Sequence, residues 1–214
     1  MSATHFFKKN QPASRLIAQG LFWAFIVLAL IMQLGWIDVV DHDMEWFLVY
    51  MLLFSAVGMV APFIVAQLIP RLREKLNDQS LGILEILAGL AIVSSWIGAF
   101  GLYRDGFGYD TFVHFFASFC LMGMFTIVLM LFPVFRNKIW VLLLLAGGLT
   151  LVGGLLNEVF EYMGDLLFET MMYGELGQPD DTLRDLIADG VGIGLGAVIF
   201  YFVRDRFGRY IKNS

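Results

Sequence analysis

The sequence predicts an all-α polytopic membrane protein, a single bundle of six transmembrane helices with both termini cytoplasmic. Three observations predict it. Hydrophobic residues make up 59% of the 214 and charged residues only 15%, well beyond what a soluble domain of this length carries. Six apolar stretches, at about 16–40, 47–69, 81–103, 110–132, 139–163 and 182–203, are each long enough to cross a hydrocarbon core of about 30 Å as a helix. Basic and acidic residues alternate between the connections. The stretches lack the period-two alternation that membrane β-strands need.

The first stretch follows Lys8, Lys9 and Arg15. It starts like a signal peptide, but it is long and has no small-x-small cleavage site, so a retained anchor is expected. The acidic loop with Asp38, Asp41, Asp43 and Glu45 leads into the second stretch, which Pro70 ends. Arg71, Arg73 and Lys75 precede the third. The fourth opens at Tyr109-Asp110 and stops before Pro133, and Arg136 and Lys138 introduce the fifth. The longest connection, 166–180, carries Glu169, Glu175, Asp180 and the turn formers Gly174, Gly177 and Pro179. Arg204, Arg206, Arg209 and Lys212 follow the sixth. Every second connection is basic, which by the positive-inside rule puts those connections and both termini in the cytoplasm. The net charge of −5 is therefore a sum over two opposite faces and gives no reason to expect a nucleic-acid partner. Short loops argue for one transmembrane domain over 1–214. Cys120 is the sole cysteine, so no intramolecular disulfide can form.

Ionisable residues inside these stretches are costly and mark function by default. Three helices carry them at helical spacing, which places each row on one face. Asp110 and His114 are on the fourth helix, Glu158, Glu161 and Asp165 on the fifth, and Asp181, Asp185 and Asp189 on the sixth. At 1.5 Å per residue all three rows reach the same depth, near the outer boundary. Gly192 and Gly196 continue the sixth-helix stripe, and Gly147 and Gly154 the fifth-helix one, so both faces are expected to pack closely on protein. Carboxylates held together stay ionised only if a cation or protons neutralise them. An oxygen-rich set with one imidazole suits a divalent metal, with Mg²⁺, Mn²⁺ or Ca²⁺ favoured and Zn²⁺ second. The expected ligands are Asp110, His114, Glu158, Glu161, Asp181, Asp185 and Asp189, with His114, Glu158 and Glu161 as catalytic candidates. Tyr109, Tyr162, Arg104, Asn157 and Arg184 are candidates for orienting or anion-binding work.

Plainer readings compete at each position. His114 alone would be a satisfied interior histidine, Asp180 or Asp181 an N-cap, and Glu161 a partner of Arg184 or Arg104. Glu85 is expected to snorkel, Ser94, Ser95 and Thr150 to bond within or between helices, and Asp41-His42-Asp43 to form a solvated turn.

The elements Tyr109-Asp110-x-x-x-His114, Glu158-x-x-Glu161 and Asp181-x-x-x-Asp185-x-x-x-Asp189-Gly190, followed by Gly194 and Gly196, resemble the pattern of the VanZ-like membrane proteins. They resemble the related YjdF-type family more closely. The likeness covers roughly 103–203 and departs from the VanZ pattern at Glu161 and Asp189, where that family tends to have glutamine and asparagine. It implies a small multi-pass protein of the cell (inner) membrane with a site on its last three helices, and it supplies no reaction. Three functions follow as expectations. The first is a metal-dependent enzyme acting at the outer leaflet of the surrounding lipid bilayer on a lipid, lipid-linked or cell-envelope substrate. The others are a non-catalytic accessory or assembly factor and an ion-coupled transporter. Nothing in the chain specifies an oligomeric state.

Overall fold

The computed structural model describes residues 13–36, 45–97, 108–168 and 181–207. Eight helices cover them: α1 Ala13–Gln33, α2 Glu45–Leu68, α3 Pro70–Lys75, α4 Asp78–Ile97, α5 Tyr109–Met130, α6 Pro133–Arg136, α7 Ile139–Phe168 and α8 Asp181–Phe207. Six of these, all but α3 and α6, are long and apolar enough to cross a membrane. The described residues contain no strand.

Local chemistry sets the helix ends where hydropathy alone misplaces them. The first apolar stretch continues past Gln33, yet α1 closes there: Gly35 adopts φ 67° and its N–H returns to the Met32 carbonyl at 2.9 Å. α4 begins three residues before its apolar run because the Asn77 side chain accepts the Ser80 N–H at 2.7 Å. Pro70 and Pro133 each open a short helix in the basic connections, a position where a missing N–H costs nothing. Lys75 donates to the Leu131 carbonyl at 3.1 Å, tying those two connections together at one end of the bundle. α7 runs to Phe168, five residues beyond the expected end at 163, about 45 Å in all. Its last turns therefore project past a core of about 30 Å.

The spanning helices form two sets. α1, α2 and α4 pack on one another, as do α5, α7 and α8, and α4 against α5 joins the sets. An apolar core of Phe25, Ala29, Met32, Leu52, Ala56 and Met59 fills the first set. A larger one, including Leu81, Met122, Ile127, Leu142, Ala146 and Phe200, fills the end of the bundle near α3 and α6. Neither core reaches the opposite end of α5, α7 and α8. Polar side chains take its place there.

Candidate metal centre

Close backbone approach builds this end. A Cβ at Gly192 of α8 would strike the Phe115 carbonyl of α5, and one at Gly196 would lie 2.8 Å from Met122 Cγ. A Cβ at Gly154 of α7 would collide with the Asp189 carboxylate, and one at Gly147 would press on Ile193. The glycine stripes expected to face protein therefore do so, and they bring the three acid-bearing faces together.

His114 lies at the centre. Its Nε2 is 3.7 Å from both Glu158 Oε1 and Glu161 Oε1, and its Nδ1 is 3.5 Å from Asp189 Oδ1. Ser118, one turn below His114, donates to that same Asp189 oxygen at 2.7 Å. Glu161 Oε1 accepts a bond from Asn157 Nδ2 at 2.6 Å, one turn back on α7. Thr182 of α8 approaches Glu158, and Thr111 of α5 approaches Asp185. His114, Glu158, Glu161, Asp185 and Asp189 are all buried, the last two only 2% and 1% exposed.

Two sets of three side chains have potential ligand atoms within 4.8 Å of one another: His114, Glu158 and Glu161, and Asp110, His114 and Asp185. Such a cluster can hold a metal ion. One feature of the donor set fits an ion: Glu158 Oε1, Asp185 Oδ1 and Asp189 Oδ2 are buried without a hydrogen-bond partner. Buried carboxylate oxygens are ordinarily paired. With five carboxylates around one imidazole, neutrality requires a cation or bound protons.

The seven expected ligand positions do not stand alike. His114, Glu158, Glu161, Asp110 and Asp185 fall in the two sets. Asp189 is held on the Nδ1 side by Ser118. Asp181 begins α8, half-buried one turn further out, and belongs to neither set. Of the auxiliary candidates, Asn157 supports Glu161, whereas Tyr109 points away and donates to the Ser94 carbonyl at 2.8 Å. Tyr162 and Arg184 are exposed, and Arg104 and Asp180 lie outside the described residues, as does the Asp41-His42-Asp43 loop. Ser118 was not anticipated, although it continues the Asp110, His114 row at a further interval of four. Glu85 does not snorkel: it is 3% exposed and buried between helices. Ser94 and Thr150 bond carbonyls of their own helices, as expected.

A profile of the family described as "Predicted membrane protein (DUF2238)" matches residues 20–206, which include every residue of this cluster. No curated protein and no solved structure matches the chain.

Proposed function

For a chain that belongs to this family of predicted membrane proteins, we propose a metal-dependent enzyme acting on a phosphate-bearing lipid, lipid-linked or cell-envelope substrate at the outer leaflet of the cell (inner) membrane. The observation that carries the proposal is the set of buried carboxylate oxygens without a hydrogen-bond partner, Glu158 Oε1 and Asp185 Oδ1 above all. A purely structural polar network would be expected to satisfy them. The likeness to the VanZ-like and YjdF-type proteins supports the same location on the last three helices.

In this reading His114 Nε2, Glu158 and Glu161 hold the ion, and Asp110 and Asp185 complete an oxygen-rich surround that favours Mg²⁺, Mn²⁺ or Ca²⁺, with Zn²⁺ as the alternative. Asp189 is reassigned from ligand to orienting group. Fixed by Ser118, it faces Nδ1 and turns Nε2 toward the glutamates, as carboxylates behind metal-bound histidines do. A bound ion would supply charge for a phosphate oxygen and an activated water. A carboxylate left unligated would serve as the proton acceptor there. Asp181, at the mouth of the site, is the first carboxylate an entering cation meets.

Elemental analysis of detergent-purified protein tests the proposal. Wild type should retain a divalent metal, and Glu158→Gln with Asp185→Asn should lose it while remaining folded. Metal-free wild type that stays indifferent to every added divalent cation would instead favour the accessory-factor reading, in which the cluster only pins helices.

A further inference from the structure

A second buried charged centre lies in the other three-helix set, at the opposite end of the bundle. Arg15, in the first turn of α1, is 7% exposed, and Glu85, two turns into α4, is 3% exposed. The Arg15 guanidinium carbon sits 3.8 Å from the centroid of the Phe63 ring of α2, which covers one flat face of the group and leaves its edges to bind. Arg15 Nε and Nη2 have no hydrogen-bond partner, and neither does Glu85 Oε2. Ser14, next to Arg15, occupies the space where a Cβ on Gly82 would lie, one turn before Glu85 on α4, so the two charged groups come from adjoining turns of packed helices. Arg73 and Asp78 are 3.4 Å from each other, and Lys75 is bonded to the Leu131 carbonyl. Among the described residues, Arg73 and Lys75 are thus engaged elsewhere, while Arg15 keeps spare donors buried.

Nε–H and Nη2–H lie on the same edge of a guanidinium and form a two-donor fork that matches two oxygens of a planar or tetrahedral oxyanion. Glu85 adds a second requirement, because a carboxylate beside the bound anion repels it unless the ligand offers a hydrogen to Oε2. Sulfate and an ionised carboxylate have none to give. A phosphate with one ester bond or none keeps a P–OH near its second pKa of about 6. We propose that Arg15 and Glu85 form a binding site for a singly protonated phosphate group, free or as the terminal phosphomonoester of a lipid headgroup, separate from the His114 cluster.

The test is thermal melting of detergent-solubilised protein at about pH 6, with chelator present so that phosphate on a metal at the other site does not contribute. One arm titrates inorganic phosphate and the other dioctanoyl phosphatidic acid, each against sulfate at equal ionic strength. A rise in melting temperature with either phosphate and not with sulfate is expected, and the arm that responds identifies the source. Arg15→Lys keeps the charge and loses the fork, and should raise the half-saturating concentration about tenfold or more. Glu85→Gln replaces the repelling carboxylate with an amide, and should let sulfate stabilise the protein. If Arg15→Lys is not monodisperse, the Glu85→Gln selectivity change decides alone. Equal response to sulfate and phosphate in wild type, or no response to either phosphate source, would overturn the proposal.

Discussion

At the scale of single residues, His114 joins most of the contacts in the cluster, and its two ring nitrogens face different neighbours. Nε2 meets Glu158 and Glu161 across 3.7 Å, while Nδ1 meets an Asp189 already held by Ser118. That asymmetry separates candidate ligands from a group that aims the ring. Ser118→Ala should therefore weaken metal affinity about 10–100-fold, the range found when partners behind a ligand are removed. Competition with a metal indicator would measure it, and unchanged affinity would leave Ser118 a packing residue only. Glu158 and Asp185 receive no bond from Ser118, and each keeps a buried oxygen with no hydrogen-bond partner. Added Mn²⁺, Mg²⁺ or Zn²⁺ should raise the melting temperature of wild type through ligand linkage. Glu158→Gln with Asp185→Asn should abolish that rise. Without metal, the double mutant should melt no lower than metal-free wild type, because two mutually repelling charges have gone. A large loss of stability in the double mutant would point to a structural ion network instead.

At the scale of elements, the decisive contact is α8 against α5. The Phe115 backbone lies where a Gly192 side chain would begin, so no rotamer change can make room. Gly192→Ala should lower stability by about 1–3 kcal/mol or more by forcing the helices apart. Gly190 and Gly194 lie on the same helix with nothing within 4 Å of a built Cβ. Their alanine variants should melt within a few degrees of wild type, which makes the comparison internal to one helix. Gly154→Ala is a subtler case. The atoms it displaces belong to the Asp189 carboxylate, so metal affinity should fall more than stability. Parallel melting and metal-binding curves for these four variants would show whether packing and site separate in this way.

At the scale of the whole molecule, the bundle has an apolar core near α3 and α6 and a polar cluster at the other end of α5, α7 and α8. The basic connections bearing Arg71, Arg73, Lys75, Arg136 and Lys138 lie at the apolar-core end. By the positive-inside rule the cluster is expected at the outer leaflet. In a Cys120→Ala background, a cysteine replacing the exposed Trp36 should react with an impermeant thiol reagent in intact cells, and one replacing the exposed Asn137 should react only after permeabilisation. The opposite labelling would move the site to the cytoplasmic leaflet and change the substrates within its reach.

The sequence by itself determined the six membrane-length helices and the common level of the acid rows, because both follow from one-dimensional quantities: the length of an apolar run and the rise per residue of a helix. It also determined which glycines face protein, since spacings of three and four fix a stripe whatever the partner. Helix ends were less legible at Gln33 and Asn77, where a left-handed glycine and a side-chain cap override hydropathy. Only the tertiary structure decided which ring nitrogen faces which acid, that Ser118 bonds Asp189 rather than its own helix, and that Glu85 is buried rather than snorkelling. Helical periodicity fixes a residue's angle about its own axis. It leaves open the rotation of one helix against another, and that rotation selects a polar side chain's partner.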